Sequence, residues 1–355
     1  MAIEINGLPE NERGSVPENI RFGTVFSDHM FTQVFDPGVG WHAAQIHPYG
    51  PLSLDPAAAV LHYSQEIFEG LKAYRREDGG INLFRPEQNA RRFNNSAQRM
   101  VMPQVDEAMQ LQALKELVSI DRNWVPSTEG SSLYIRPTMI ATSAKLGLGA
   151  AANYMHYIIT GPAGPYFEGG FNPVSVYISD VCRRAVVGGV GDAKTGGNYS
   201  ASLMVSEEVA KKGFTQVLWL DAIEGRYVEE VGAMNICFVY EGKKIITPSL
   251  SGSILPGITR DSLLTLAPTL GYEVGEERLD INDILADIES GKITEVFGCG
   301  TAAVISPIGM LAMNDKEYEI NGNQSGSVSK HLYDELTGIQ YGQREDPFGW
   351  ITPVD

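Results

Sequence analysis

A lysine set among glycines, two adjacent glutamates and two glycine turns are the features of this 355-residue chain with most chemistry to offer. The lysine is Lys194, in GGVGDAKTGGNYSASL (Gly188 to Leu203). Glycines on both sides let a bulky planar ligand approach the backbone, since no Cβ stands in the way. In a dry pocket the amine's pKa falls, so a neutral nitrogen becomes available to form a Schiff base with an aldehyde. A solvated loop lysine accounts for the same residues, because most lysines are exposed. The stretch also comes near a phosphate loop. Gly188, four residues, Ala193, Lys194 and Thr195 fit G-x-x-x-x-G-K-[ST] except at Ala193. Such a loop must run from its Lys-Thr straight into a helix whose amides hold the phosphate. Here Gly196-Gly197 interrupt that start.

Glu229 and Glu230, in YVEEVGAMNICFVYEGKK, precede the apolar run Ile236 to Tyr240. A carboxylate turned inward at this junction suits a positively charged ring nitrogen. Two surface glutamates are the bland account. In SILPGITRDSLL, Pro256-Gly257 stand just ahead of a helix whose first amides, at Ile258 and Thr259, are open to a phosphate. GCGTAAVIS places Gly298, Gly300 and Thr301 in a tight turn after Val296 and Phe297.

These residues must be positioned by strands and helices that the pattern outlines. Phe22 to Phe35 has β character. GLKAYRRED and INLFRP alternate around Asp78-Gly79-Gly80, a hairpin signal. Helices are expected through RPEQNARRFNNSAQRM, where Pro86 suits the first turn, and through EAMQLQALKELVSI, with Leu111, Leu114 and Val118 on one face. SSLYIRPTMIATS and ANYMHYIITG read as paired strands. The Gly-, Pro- and aromatic-rich GPAGPYFEGGFNP reads as an interdomain connection. Beyond it come a strand (VSVYIS), a helix (YSASLMVSEEVAKKG), two strands (TQVLWLD and NICFVYEGKKIIT) and a helix (ITRDSLLTLAPTLG, with Leu263, Leu266, Ala267 and Leu270 aligned). Hairpins outnumber βαβ units, so the expected fold class is two α+β domains with mixed or antiparallel sheets. The expected division is residues 1–163, a connecting loop 164–174, and a C-terminal domain 175–355.

Composition narrows the partners. Lys+Arg 27 against Asp+Glu 44 leaves a formal charge of −17, which argues against nucleic acid, whose affinity comes from basic residues. No apolar run approaches the roughly 20 residues that cross a bilayer. The polar, acidic start MAIEINGLPENERGS is neither a secretory signal nor an Arg-rich transit peptide. Cys182, Cys237 and Cys299 are too few and too far apart for a disulfide framework or a metal knuckle, and no metal is expected. The expectation is a cytoplasmic protein.

Taken together, the segments resemble the branched-chain amino acid aminotransferases, fold-type-IV enzymes that use pyridoxal 5'-phosphate. The resemblance rests on FGTVFSDHM, HYSQEIFEGLKAYR, LFRPEQNARRFNNSAQRM, SLYIRP, GDAKTGGNYSASL, EEVGAMN, LPGITRDSLL and GCGTAAVISPIG, in family order over nearly the whole chain. It implies that Lys194 bonds the cofactor aldehyde and then shuttles the α-proton. It implies that Tyr199 bonds the phenolate oxygen, Glu230 the pyridine nitrogen, and Arg92, Ile258, Thr259 and Thr301 the phosphate. The family's E-V-G pattern selects Glu230 over Glu229. Phe22, Phe68 and Tyr166, with Tyr63 and Leu148 of a partner subunit in a homodimer, match the apolar walls around a branched side chain. Tyr134 and Arg136 match an inward-facing substrate pair, and Thr301 and Ala302 the turn that receives the substrate carboxylate. Ala233 stands where some relatives have threonine. Ala303 and Ser306 stand where some animal relatives have a Cys-x-x-C pair. The implied activity is exchange of amino groups between leucine, isoleucine or valine and 2-oxoglutarate. Alternatives within the fold are a D-amino acid or amine transaminase and an aminodeoxychorismate lyase. Outside it stands a nucleotide-binding protein using Gly188 to Thr195.

Overall fold

The alternating segments form two sheets of nine strands, one in each of two units. The computed structural model describes residues 2–20, 22–164, 171–314 and 316–354. The first unit takes residues 1–166, 193–196 and 338–355, and the second 167–192 and 197–337. The short segment carrying Lys194 and the C-terminal tail were expected with the C-terminal domain; their contacts lie with the first unit.

In the first unit, His29–Asp36 pairs antiparallel with Gly40–Pro48, and Ser132–Ala141 with Tyr154–Ala163. Leu71–Arg75 and Ile81–Phe84 make the expected hairpin, with Gly79 at φ 85° in its turn. The strand period of two divides Ser132–Ala141 between two environments. Leu133 and Ile135 are fully buried, whereas Tyr134 and Arg136 are only partly so. The core gathers Phe31, Ile46, Leu83 and Leu133 with Phe93 of helix Pro86–Arg99 and Leu117 of helix Glu107–Ile120. Asp106 caps the second helix by accepting from the Met109 amide at 2.9 Å. Its buried stripe runs through Ala113, Leu114, Leu117 and Val118, leaving the expected Leu111 at the edge.

The second unit's sheet is mixed. Val174–Ser179 lies parallel to both Gln216–Leu220 and Val304–Met313, whereas Asn235–Tyr240, Ile293–Gly300 and Val304–Met313 run antiparallel in turn. Helix Ile281–Glu289 supplies Ile284, Leu285 and Ile288 to its core. Helix Ile258–Thr269 buries Leu263, Leu266 and Ala267. No helix among the described residues is long and apolar enough to cross a membrane.

Four local expectations are corrected. NICFVYEGKKIIT is not one strand but a hairpin, Asn235–Tyr240 with Lys244–Pro248. Glu241 and Gly242, at φ 51° and 66°, give the left-handed pair that such tight turns use. Residues 22–28 form turns, and the strand begins at His29. The helix expected through 199–213 is split into Gly197–Ser200 and Leu203–Lys211. At the break, the Ser202 hydroxyl donates to the Tyr199 carbonyl at 2.7 Å, a local bond that competes with helix continuation. Finally, Cys237 and Cys299 are not remote. They sit diagonally on adjacent antiparallel strands, both 1% exposed.

Candidate active site

One stripe of helix Pro86–Arg99 sets up the surroundings of Lys194. Asn89, Arg92 and Ser96, spaced i, i+3, i+7, share a face. Asn89 Nδ2 donates to Glu69 Oε2 at 2.7 Å. Arg92 grips the same carboxylate at two points, Nε to Oε1 at 2.7 Å and Nη2 to Oε2 at 2.9 Å. Ser96 Oγ accepts from the Lys194 amide at 2.9 Å.

The strand Glu66–Phe68 holds the lysine segment from the other side. The Phe68 amide donates to the Lys194 carbonyl at 2.9 Å, Thr195 Oγ1 to the Glu66 carbonyl at 2.7 Å, and the Gly196 amide to Glu66 Oε1 at 2.6 Å. A Cβ on Gly196 would meet that carboxylate, so a side chain there would have to displace Glu66 from the Gly196 amide. The Lys194 backbone is therefore fixed on both sides while its amine lies 4.8 Å from the Phe68 ring centroid.

Burial, with Arg92 as second cause, lowers the Lys194 pKa from 10.5 to about 8. By surface exposure the residue is only partly buried, and of the two readings the sequence left open the lowered pKa favours the desolvated amine. Burial works to raise Glu69, but the Arg92 cation beside it prevails and holds its carboxyl below the usual range. Burial raises Glu66.

A cavity of about 330 Å³ lies on the same unit, lined by Phe22, Phe26, Tyr134, Arg136, Ile159 and Gly161 among others. Phe22 meets Tyr134 edge-on at 5.0 Å. Arg136 lies 4.6 Å from the Phe68 ring centroid, and its Nη2 donates to the Tyr134 hydroxyl at 3.0 Å. Its Nε is buried without a hydrogen-bond partner. Apolar walls with one cation inside suit a ligand that is sometimes apolar and sometimes anionic. Tyr63 and Leu148 lie on the surface of this chain, Leu148 at 84% exposure, with the Tyr63 hydroxyl donating to the Leu146 carbonyl. Tyr166 lies outside the described residues.

The second unit holds its own group. Alternation along Val228–Val231 sends Glu229 and Glu230 to opposite faces. Glu229 accepts from the Ser253 hydroxyl. Glu230, 3% exposed, accepts from the Leu255 amide at 2.9 Å and from Asn235 Nδ2 at 3.4 Å, and pairs with Arg184 at 2.8 Å. The same Asn235 amide donates to the Leu255 carbonyl, tying Glu230 to the loop that enters helix Ile258–Thr269. That helix starts at Gly257 with no side-chain cap, which leaves the first amides, Ile258 and Thr259 among them, for an anion. Thr301 and Ala302 form the turn between Ile293–Gly300 and Val304–Met313. Tyr199 lies in the short helix Gly197–Ser200.

The phosphate-loop alternative fares poorly. Thr195 already donates to Glu66, and only a four-residue helix follows Gly196.

An amine of lowered pKa on a fixed backbone is suited to amine and carbonyl chemistry. The chain belongs to the class IV aminotransferase family, whose model matches residues 66–310. Over 334 residues it is 53% identical to the probable branched-chain-amino-acid aminotransferase of Staphylococcus aureus strain N315, covering 94% of this chain and 93% of that one. It is 49% identical over 339 residues to branched-chain-amino-acid transaminase 1 of Bacillus subtilis strain 168, covering 95% of each. Among solved structures, the Escherichia coli branched-chain amino acid aminotransferase superposes with TM-score 0.74 at 26% identity, covering 92% of this chain and 99% of that one. The Thermobaculum terrenum enzyme in its PLP form superposes with TM-score 0.74 at 27% identity, covering 92% and 98%.

Sequence reasoning missed Glu69, Ser96 and Arg184. Glu69 carried a signal, as a glutamate inside the apolar strand stretch IFEGLKAY. Arg184 carried none, since Arg183-Arg184 reads as surface charge.

Proposed function

We propose that this chain transfers the amino group of leucine, isoleucine or valine to 2-oxoglutarate with pyridoxal 5'-phosphate as cofactor. The observation that carries the reading is the Lys194 amine, held by its backbone on both sides, with its pKa lowered to about 8 so that the neutral form is within reach near neutral pH. The family membership and the relatives' names support the substrates.

The residues present fit the cofactor: an amine for its aldehyde, a buried carboxylate for its ring nitrogen, and an uncapped helix start for its phosphate. When bound, pyridoxal phosphate supplies an exchangeable aldehyde and a ring that takes up the electrons of the substrate's Cα–H bond. Lys194 would hold that aldehyde and afterwards move the Cα proton with its freed amine. Glu230 would keep the ring nitrogen protonated, and Tyr199 would donate to the phenolate oxygen. Ile258, Thr259, Thr301 and Arg92 would hold the phosphate. Phe22, Phe68 and Tyr134 would remove methyl groups from water, at roughly 0.8 kcal/mol per CH₂. Thr301 and Ala302 would receive the α-carboxylate, and Arg136 the side-chain carboxylate of glutamate.

The exposed Tyr63 and Leu148 support a homodimer in which they line the partner's pocket. A cytoplasmic location agrees with three unpaired cysteines. Coupled assays of leucine, isoleucine and valine with 2-oxoglutarate test the activity. Turnover of D-amino acids or simple amines in preference would favour the alternative within the fold. Sedimentation of the wild type against Leu148→Glu tests the dimer.

A further inference from the structure

We infer that Arg184 is a positioning residue whose task is to keep Glu230 an oriented carboxylate, an inference that rests on the proposed contact of Glu230 with the cofactor's ring nitrogen. Arg184 follows the strand Val174–Ser179, and its side chain is 6% exposed. Its Nε lies 2.8 Å from Glu230 Oε2 yet makes no aligned hydrogen bond, so the contact is primarily one of charge. Its Nη2 donates to the Ser253 carbonyl and, at 3.4 Å, to the Gly191 carbonyl. A Cβ on Gly191 would collide with that same Ser253 carbonyl. One guanidinium thus ties together the glutamate strand, the glycine stretch before Lys194 and the loop before helix Ile258–Thr269.

The chemistry asks for such a residue. A carboxylate this buried is costly without a paired charge, and the ring-nitrogen contact asks for an oxygen that accepts. The amides of Leu255 and Asn235 fix the direction of Oε1 but bring no full charge. Arg184 brings the charge, and its planar fork is held by two carbonyls. Ion pairs buried this deeply add little to stability compared with apolar packing, so a functional reason for keeping one is sought.

The test compares two ligands on the full-length apoprotein: pyridoxal 5'-phosphate and its 1-deaza analogue, which has a C–H in place of the ring nitrogen. If Arg184 acts through Glu230, Arg184→Gln weakens pyridoxal phosphate by about tenfold and the analogue by less than about threefold, as expected for a charged hydrogen bond lost to one ligand only. Arg184→Lys, which restores charge, should bring the ratio of the two affinities back towards wild type. Equal weakening of both ligands by Arg184→Gln would overturn the inference and leave Arg184 a brace for the loop. If Arg184→Gln does not fold, the double variant Arg184→Gln, Glu230→Gln decides. Recovery of folding there shows that Arg184 serves Glu230, and failure to fold overturns the inference. Glu230→Gln alone reports separately on the underlying reading. If it leaves the ratio at the wild-type value, Glu230 does not meet the ring nitrogen, whatever Arg184 does.

Discussion

Arg92 and Glu69 form a two-point ion pair, 2.7 and 2.9 Å long, and both charges act on the Lys194 amine. The pairing changes what loss of Arg92 should do. Arg92→Ala strands a buried carboxylate as well as losing a grip on phosphate. Stability should fall by about 3–5 kcal/mol, the usual cost of removing one partner of a buried pair. Cofactor should also be lost on dialysis, with activity partly rescued by excess pyridoxal phosphate. Replacing both residues with Met and Leu should recover stability but not cofactor retention. Urea unfolding without change for Arg92→Ala would show that the pair is not buried in solution.

Lys194 sets a pH dependence with a definite sign. Its folded pKa is about 8 against an ordinary 10.5, so between those values the unfolded chain binds a proton that the folded apoprotein does not. Apoprotein stability therefore rises with pH across that window, and the full penalty is present below about 8. Aldehyde capture needs the neutral amine, so its rate should climb about tenfold per pH unit up to roughly 8 and then level off. Stopped-flow absorbance on adding pyridoxal phosphate measures this. A rate still climbing towards 10.5 would mean an ordinary solvated lysine.

How much of this was legible in the sequence varies by element. Ser132–Ala141 was readable because strand alternation is local: Leu133 and Ile135 go to the core, and Tyr134 and Arg136 away from it. Lys194 was readable because glycines flank it. The Glu69–Arg92 pair spans 23 residues, Arg184–Glu230 spans 46 and Cys237–Cys299 spans 62, and no local pattern reports such meetings. They follow from sheet order and register, which place Cys299 diagonal to Cys237 across two strands that lie far apart in sequence. The choice of Glu230 over Glu229 came from a family pattern. Strand alternation adds only that the two neighbouring glutamates face opposite ways.

Arg136→Met should separate the two halves of the reaction. The substitution keeps apolar bulk against Phe68 but removes the buried Nε, which has no protein partner. Single-turnover spectra should show the leucine half-reaction spared and the glutamate half-reaction slowed by about 2–4 kcal/mol, the range for deleting one member of a buried charge pair. Equal losses would assign Arg136 to the fold or to the α-carboxylate.

The cysteines should resist mild peroxide despite the meeting of Cys237 and Cys299. Both are buried; contact with Cys237, and then burial, pushes the Cys299 thiol well up, while contact with Cys299 lowers Cys237, so the resistance rests on their lack of access. Diagonal strand positions lie roughly 7–8 Å apart, beyond the Cα separation a disulfide accepts without backbone movement. Thiol titration of the native protein should label Cys182 first, with the other two reacting only after denaturation. Loss of activity on mild oxidation, restored by dithiothreitol, would contradict this.

The claim on which the rest depends is that Lys194 carries the cofactor. Borohydride reduction of the pyridoxal phosphate-loaded protein, followed by peptide mapping, measures it directly. The label should appear on the peptide containing GDAKTGGNYSASL, at Lys194, with turnover of leucine abolished in Lys194→Ala while the fold is kept. Label on another lysine, or leucine turnover surviving in Lys194→Ala, would contradict the account.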